Sequence, residues 1–420
     1  MIRWIRPSLG TAAWRVGVRE PDILLVDVRD LIDGEGNGAA TLAPKIESAL
    51  AGLKADRRVV ICCDHGISRS NAVAVGVLAR WESRPFFEAL SQVTQAVRES
   101  EIKIEVLREI RDLVEPVPPS RTDSTARRIL LTGGSGHLGR AVQPELRSVG
   151  TVLAPMRREL DLLSGPTSLE LYVHTHGITD IVHLAAPRIQ NVNSAVGESI
   201  SMLRSIANVC SENGLFLIFP SSIDLFGGYR CESLLADETL PYKPKGHRGE
   251  SKYLSELLLL HYRNHYNLAC SILRIATTYG GRDPKPYFLN SFIQKALTHE
   301  DIATHRFENG LPKLDLIHID DVAVGIAKVL NAREPEVFHL GSGRAIATAA
   351  IADRIIEWLQ SSSRRSEISV SDFTSNLVMD TSKAQNRLDW RPRIQPLEGL
   401  QEYVAQLPSV LPTTDRSRTP

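Results

Sequence analysis

Apolar residues recur along this chain in short runs, and each run is followed by a loop and then by helical spacing. The run over 59–61 leads into a small polar loop and an alanine- and valine-rich stretch over 71–81. This order predicts a buried strand, a loop and a helix, and helical spacing returns over 86–113. A second apolar run over 128–132 leads into a glycine-rich turn, after which predicted strands and helices alternate for over 200 residues. The pattern predicts an α/β protein.

Three prolines and a group of small polar residues interrupt this pattern over 115–125. Proline neither continues a helix nor donates to a sheet, so we predict a linker at 116–126. The tail over 409–420 has the same character and is predicted to be disordered. A chain of 420 residues is too long for one ordinary domain. We therefore expect one domain over 1–115 and a second over 127–408.

Composition and charge narrow the classes of protein to which the chain can belong. Its 49 lysines and arginines balance its 49 aspartates and glutamates, which gives no support for binding to nucleic acid or to an anionic membrane. The five cysteines are odd in number and lack the spacing of a metal site, which indicates a reducing compartment and neither metal nor disulfide. No apolar run reaches membrane-spanning length and no secretory core begins the chain, so we expect a cytoplasmic protein without a membrane partner.

The loop after the first predicted strand carries the most reactive group of side chains. Cys63 stands six residues before Arg69, and Ser70 follows directly. Backbone N–H groups of such a loop and the N-terminus of the next helix converge on a concavity that suits an oxyanion. A cysteine there is expected to have a depressed pKa, and the arginine presents a planar fork to two phosphate oxygens. The arrangement indicates a cysteine nucleophile for phosphate esters.

Together with Gly66, these residues resemble the Cys-x5-Arg-Ser/Thr motif of the protein tyrosine and dual-specificity phosphatases. The similarity extends over roughly residues 1–115 and implies a cysteine-phosphatase α/β domain. In that family Cys63 would attack phosphorus, Arg69 would hold the transferred phosphoryl group, and Ser70 would assist turnover of the thiolate. The implied substrate is a phosphate monoester on a protein or a small metabolite, and no cofactor is implied.

The same resemblance implies an upstream aspartate that protonates the leaving oxygen. Asp30 is preferred on spacing and Asp33 is the alternative. The chain departs from the family at Cys62, which stands where the family usually has a histidine. The neighbouring thiol offers a route to reversible oxidation.

A glycine-rich turn follows the second predicted strand. Gly133, Gly136 and Gly139 have Gly-x2-Gly-x2-Gly spacing and lie between a predicted strand and a predicted helix. The first two glycines permit a tight turn and close approach of the backbone to a pyrophosphate, and the third lets the helix pack on the strand. The turn therefore predicts a dinucleotide-binding loop.

Further motifs accompany this turn. They are Asp161-Leu, His183-Leu-Ala-Ala186, Pro220-Ser-Ser-Ile-Asp-Leu-Phe-Gly227, Leu273-Arg-Ile-Ala-Thr-Thr-Tyr-Gly280 and His318-Ile-Asp-Asp-Val322. Together they resemble the extended short-chain dehydrogenase/reductases, especially nucleotide-sugar epimerases, dehydratases and reductases, over roughly residues 127–405. The resemblance implies a Rossmann-type doubly wound parallel sheet with a small C-terminal substrate lobe. It also suggests a homodimer.

The resemblance implies NAD or NADP as the cofactor of this half. The residues that it places at the cofactor are Gly133, Gly136, His137, Leu138, Gly139, Arg157, Asp161, Ala185 and Lys252. The predicted second strand ends without the acidic residue that binds a ribose 2′-hydroxyl. Arg157 or Arg158 could instead pair with a 2′-phosphate or be a solvated surface charge, so both cofactors stay open.

The catalytic set implied by the resemblance is incomplete. The family carries a serine and Tyr-x3-Lys on one helix face. Here Ser222 and Lys252 are present, but Arg248 takes the position of the tyrosine. Arginine stays protonated in proteins and cannot act as the acid or base. Tyr242 or His247 could reach in from the preceding loop to supply the missing group.

Three functions follow as hypotheses. The first is a cysteine-dependent phosphatase whose second half senses NAD(P) or positions the substrate. The second is a bifunctional enzyme whose second half oxidises, reduces or epimerises a sugar or nucleotide-sugar, with another group replacing the missing phenol. The third is a non-catalytic scaffold that binds ligands in both halves.

Overall fold

The computed structural model describes residues 1–14, 22–99, 101–115, 126–187, 192–281 and 288–406. Residue contacts divide the chain into two compact units. The first unit comprises residues 1–128, 155–180 and 201–215, and the second comprises 129–154, 181–200 and the chain from 216 onward. Residues 116–125 of the predicted linker and the predicted tail lie outside the described residues.

The first unit is built on a four-stranded sheet with the strand order β1-β2-β4-β3. The strands are β1 (Arg3–Arg6), β2 (Leu9–Ala13), β3 (Ile23–Asp27) and β4 (Arg58–Cys63). β4 pairs in parallel with both β2 and β3. The predicted strand and its loop therefore lie at the centre of this sheet.

Four helices of the N-terminal segment accompany this sheet. They are α1 (Gly38–Lys54), α2 (Arg69–Trp81), α3 (Phe86–Val97) and α4 (Ile104–Val114). The side chains of α2 from Ser70 to Ala79 are all buried, since the helix begins in the loop after β4 and crosses the core. The continuous helical stretch predicted over 86–113 is two helices, because Arg98 at the end of α3 adopts a left-handed conformation.

Two segments from beyond the predicted linker belong to the same unit. They are α6 (Pro166–His176) and the C-terminal part of α7 (Asn193–Asn213). The rings of Phe87 and His174 stack with their centroids 3.5 Å apart, and the Thr167 hydroxyl donates to the Ile102 carbonyl over 3.2 Å. Leu171 packs against the N-terminal core. The compact unit therefore does not end at the predicted domain boundary, because α6 and α7 cover part of the N-terminal helices.

The second unit contains most of a six-stranded sheet with the order β14-β10-β8-β7-β5-β6. Its strands are β5 (Arg128–Thr132), β6 (Thr151–Leu153), β7 (Asp180–His183), β8 (Phe216–Ser222), β10 (Cys270–Ile275) and β14 (Val337–Leu340). The central strands pair in parallel and are fully buried. The order reverses between β5 and β7, which is the topological switch point where α/β sheets bind ligands. The predicted Rossmann-type sheet is confirmed.

Helices flank this sheet, and smaller sheets follow it. The helices are α5 (His137–Arg147), α8 (Gly246–His265) and α10 (Ile319–Ala332), with one 3-10 turn at Ile223–Phe226. Pairs or triplets of strands form from β9 (Cys231–Ala236), β11 (Thr277–Tyr279), β12 (Ile302–Phe307), β13 (Lys313–His318), β15 (Ala345–Ala347), β16 (Arg365–Val370) and β17 (Ser375–Met379).

The C-terminal lobe has an apolar core of its own. Its helices are α9 (Phe288–Leu297), α11 (Thr348–Trp358) and α13 (Pro396–Gln406), whereas α12 (Ser382–Leu388) packs into the core of the six-stranded sheet. Ile293, Ile351 and Leu400 are fully buried in one cluster that joins α9, α11 and α13. Among the described residues, no helix is both long enough and apolar enough to cross a membrane.

Candidate functional site

Cys63 is the last residue of β4, and its sulfur is buried beneath the loop that follows. The Gly66 N–H donates to Cys63 Sγ over 3.1 Å, and the Ser70 hydroxyl lies 3.3 Å from the same sulfur. Burial alone would raise the pKa of the thiol, but the hydrogen bonds from Ser70, Gly66 and Ile67 outweigh it and lower the pKa. The loop thus favours the thiolate, as the sequence predicts for a nucleophile.

A glycine is required at the turn of this loop. Gly66 has φ +69°, and a Cβ atom there would lie 2.6 Å from the Ala13 nitrogen. The end of β2 therefore packs directly against the turn that points the Gly66 N–H at the sulfur.

Cys62 lies on the opposite face of β4. It packs with Ala12, Ile23 and Val60, whereas Cys63 belongs to the main core beneath α2. Burial, together with the charges of Asp27 and Cys63, raises the pKa of the Cys62 thiol to about 11. Because successive strand residues face opposite ways, the two thiols do not converge, and the geometry gives no support to the oxidation route expected from their adjacency.

Arg69 connects the Cys63 loop to the loop after β3 through hydrogen bonds. Its Nη1 donates to the Arg29 and Leu31 carbonyls over 2.8 and 2.9 Å, and its Nη2 donates to Asp64 Oδ2 over 2.6 Å. The bond from Arg69 lowers the pKa of the Asp64 carboxyl. The two accepting carbonyls flank Asp30, so this arginine fixes the backbone on both sides of the preferred general acid.

Asp30 and Asp33 both lie on this exposed loop. Asp30 Oδ2 lies 2.8 Å from Lys45 Nζ, and the same nitrogen donates to the Asp27 carbonyl over 2.8 Å. The assignment of the general acid to Asp30 remains a prediction.

Sequence analysis missed two side chains at this site. The Arg29 guanidinium lies 3.8 Å from the centre of the Trp14 ring and 2.7 Å from Asp27 Oδ2. The backbone N–H of Trp14 donates to the Cys63 carbonyl over 2.8 Å. Only the pairing of β2 with β4 brings Trp14 to the nucleophile, and a motif confined to 63–70 contains no signal for it.

The glycine-rich turn of the second unit has the geometry of a dinucleotide loop. Gly133 has φ +69°, and a Cβ atom there would lie 2.6 Å from the Ala185 nitrogen. A Cβ atom at Gly139 would lie 2.3 Å from the Gly133 oxygen, and the Gly136 N–H donates to that oxygen over 2.9 Å. α5 begins at His137, directly after the turn. The bare backbone at the N-terminus of a helix fits a pyrophosphate.

The other residues predicted at the cofactor differ in burial and in their partners. The His137 ring lies against Gly281, where an added Cβ would be 2.9 Å from its Cε1, and Leu138 is partly buried against the core. Arg157 Nε pairs with Asp161 Oδ2 over 3.2 Å, and 73% of the arginine side chain is exposed. Arg157 is therefore paired within the first unit, and the choice between NAD and NADP stays a prediction.

Ser222, Asp224 and Arg248 form a connected polar group at the end of β8. The Ser222 hydroxyl donates to Asp224 Oδ2 over 2.9 Å, and Arg248 Nε lies 2.7 Å from the same oxygen. One helical turn along α8, Lys252 Nζ donates to the Pro220 carbonyl over 2.7 Å. Burial, reinforced by the charge of Arg248, lowers the pKa of Lys252 to about 8. The structure thus brings Ser222, Lys252 and the replacing arginine together.

The side chains considered as substitutes for the missing phenol are engaged elsewhere. The Tyr242 hydroxyl donates to Glu256 Oε2 over 2.9 Å and accepts from Arg274 Nη2 over 2.8 Å. Burial, with the charge of Glu256, raises the pKa of Tyr242 to about 12. His247 is exposed and lies 4.0 Å from Glu250. The expectation that Tyr242 or His247 could replace the phenol is therefore not supported by this arrangement.

Known proteins match part of the chain. The pattern of the NAD dependent epimerase/dehydratase family matches residues 129–341, half of the chain. UDP-glucuronate 4-epimerase of Thermodesulfobacterium geofontis is 25% identical over 249 residues, covering 56% of this chain and 75% of that protein. Bovine mitochondrial L-threonine 3-dehydrogenase is 28% identical over 235 residues, covering 51% of this chain and 62% of that one.

Solved structures share the fold. UDP-glucose 4-epimerase of Thermus thermophilus in complex with NAD superposes with a TM-score of 0.60 at 21% identity, over 68% of this chain and all of that one. A dTDP-glucose 4,6-dehydratase of Bacillus anthracis in complex with NAD gives a TM-score of 0.58 at 20% identity, over 68% and 97% of the two chains. The family match does not cover residues 1–128, so the interpretation of the Cys63 loop rests on its geometry.

Proposed function

Because this chain belongs to the NAD dependent epimerase/dehydratase family and binds NAD(P), we propose that residues 127–408 form a working enzyme on a sugar substrate. The substrate class is a nucleotide-linked sugar, which the half would oxidise, reduce or epimerise. Relatives named for UDP-glucuronate and dTDP-glucose support this class. When bound, NAD(P) supplies hydride transfer to and from carbon, and the chain must supply binding and proton transfer.

The main support for this proposal is the environment of Lys252. Its amine has a pKa lowered to about 8 by burial and by Arg248, so a proton can leave or join it near neutral pH. Ser222 lies on the same strand as the Pro220 carbonyl that orients Lys252. In this proposal Ser222 holds the reacting oxygen of the sugar and Lys252 carries the proton that tyrosine carries in the family.

A cofactor assay tests this proposal. Purified full-length protein is mixed with NAD⁺, NADP⁺ or their reduced forms and a panel of nucleotide-linked and phosphorylated sugars, and absorbance is followed at 340 nm together with product analysis for redox-neutral epimerisation. We expect turnover that Lys252→Ala abolishes and that Lys313→Ala, at an exposed lysine on β13, leaves intact. Silence across the whole panel would count against an enzyme of this class.

The geometry around Cys63 supports a second proposed activity, hydrolysis of phosphate monoesters by the first unit. Cys63 Sγ would attack phosphorus as the ester P–O bond breaks, and Asp30 would give its proton to the leaving oxygen. Water, deprotonated by the same aspartate, would then cleave the S–P bond and release phosphate. The loop N–H groups would hold the equatorial oxygens, together with the Arg69 hydrogens that are not bound to the Arg29 and Leu31 carbonyls and Asp64. The carrying observation is the lowered pKa of Cys63 under its bonds to Gly66 and Ser70.

Phosphate release from a panel of phosphometabolites, phosphopeptides and an aryl phosphate tests this second activity. The panel is run with and without each dinucleotide, so that a response of the rate to NAD(P) would identify the second half as a sensor. Turnover of the aryl phosphate would also exclude a protein that only binds ligands. Failure to release phosphate from any substrate would leave the scaffold hypothesis as the better account of residues 1–115.

A further inference from the structure

Two cations, Arg248 and Lys252, lie one helical turn apart at the start of α8. Arg248 Nε lies 2.7 Å from Asp224 Oδ2, and the charge of Arg248 is strong enough at Lys252 to help lower its pKa. Like charges in such proximity destabilise each other unless anions offset them. Asp224 pairs with Arg248. Glu256, which also acts on Lys252, pairs with Arg274. Three cations therefore face two carboxylates, and this part of the site has an excess of one positive charge.

The two cations differ in their freedom to meet a ligand. Lys252 Nζ donates one of its three hydrogens to the Pro220 carbonyl over 2.7 Å, and the proposed function uses another for proton transfer. Arg248 has 53% of its side chain exposed, and Asp224 holds it through Nε. Asp224 in turn is held by the Ser222 hydroxyl, so the guanidinium is oriented before any ligand arrives. Part of its planar fork therefore faces solvent in a fixed direction beside the two family residues that are present.

We propose that Arg248 binds a carboxylate on the sugar of the substrate and so makes the second unit selective for acidic, uronate-type nucleotide sugars over neutral ones. A guanidinium offers two parallel N–H donors that match the two oxygens of a carboxylate. One carboxylate carries the single negative charge that balances the excess. A phosphate dianion carries one negative charge more than this excess, and Asp224 would repel it. This inference rests on the proposed function of the second half.

The test compares two ligands that differ only at this group, UDP-glucuronate and UDP-glucose. Their affinities for full-length protein loaded with NAD⁺ are measured by calorimetry, with glucose 6-phosphate as a phosphate-bearing probe. We expect the wild-type protein to bind the acid roughly 10- to 100-fold more tightly, the range typical of a hydrogen bond to a charged group. Arg248→Gln should remove this preference with little effect on UDP-glucose. Arg354→Gln, at a salt-bridged arginine on α11 with the same 53% exposure, should keep it.

Equal affinities in the wild type, a preference that persists in Arg248→Gln, or no binding of either nucleotide sugar would overturn the inference. Tighter binding of glucose 6-phosphate than of UDP-glucuronate would also overturn it. The binding test and the cofactor assay can fail independently of each other. A clear preference with no turnover removes the enzymatic proposal alone, and turnover of neutral sugars without a preference removes the Arg248 assignment alone.

Discussion

The Cys63 loop and the Ser222–Lys252 site differ in what each one retains. The first has its nucleophile, its arginine and its hydroxyl on one continuous segment, but it lies outside the family match. The second lies inside the match and has the dinucleotide turn, yet an arginine stands at its proton carrier's position. Family membership therefore establishes a fold and a cofactor, while the reaction depends on individual side chains.

Both sites nevertheless share an electrostatic character. Hydrogen-bond donors lower the pKa of Cys63, which favours a negative thiolate. At Lys252, burial and a neighbouring cation lower the pKa of a base, which disfavours added positive charge. In each site the surroundings therefore favour the deprotonated form of one side chain, Cys63 or Lys252.

The largest expected effect separates the two thiols of the first unit. Cys63→Ser should reduce phosphate release by roughly 10⁴-fold or more, because the nucleophile is lost. Cys62→Ser should leave most of the rate, since that sulfur lies on the other face of β4 and has its pKa raised to about 11. Steady-state phosphate release measures both. Equal losses in the two variants would contradict a role specific to Cys63.

The next prediction restores the family residue in the second unit. Arg248→Tyr adds the family's phenol beside Lys252 and should raise cofactor-dependent turnover of a neutral nucleotide sugar by up to about 10²-fold, the lower end of the range for a positioned acid/base, because Lys252 already carries the proton. Arg248→Phe supplies the same ring without the hydroxyl and should give no such gain. The rates are followed at 340 nm. If the phenylalanine variant gained as much as the tyrosine variant, the gain would not come from a second proton carrier beside Lys252.

A smaller effect is expected at the dinucleotide turn. Gly139→Ala places a Cβ atom 2.3 Å from the Gly133 oxygen and should weaken NAD(P) binding roughly 5- to 100-fold, because the turn must shift. Gly197→Ala, also in a helix, meets nothing within 4 Å and should bind normally. Fluorescence titration with NAD(P)H compares them. Unchanged affinity in Gly139→Ala would argue against the turn as the cofactor site.

The smallest expected effect tests how the thiolate is held. Ser70→Ala removes a hydrogen bond that lowers the pKa of Cys63, so the pKa should rise and the thiolate should form at higher pH. Alkylation at neutral pH should slow by about tenfold, given the strength of a hydrogen bond to a charged group. The rate of iodoacetamide labelling across pH measures the shift. A labelling curve that stayed in place would assign the lowered pKa to the backbone donors alone.

The sequence was informative where structure is local. The strand, loop and helix around Cys63 are confirmed as β4 and α2, because the apolar run, the glycine turn and the alanine-rich stretch each specify their own backbone. The same holds for β5, the glycine turn and α5. Arg248 was identified from a four-residue spacing, which a helix preserves.

Features that depend on pairing or packing could not be predicted. Trp14 reaches the Cys63 loop only through the pairing of β2 with β4. The break between α3 and α4 depends on one left-handed residue, Arg98, whose type carries no such preference. The positions of α6 and the end of α7 in the first unit follow from contacts between segments far apart in sequence.

The discontinuous first unit has a consequence for synthesis of the chain. Arg108 on α4 pairs with Glu212, and residues 201–215 complete the unit. At ~5–20 residues per second, that segment leaves the ribosome on the order of ten seconds after α4. The N-terminal helices must wait for it with part of their apolar surface uncovered, so a chaperone that binds nascent chains has its longest opportunity in that interval. A gene cut at the linker would make the interval permanent.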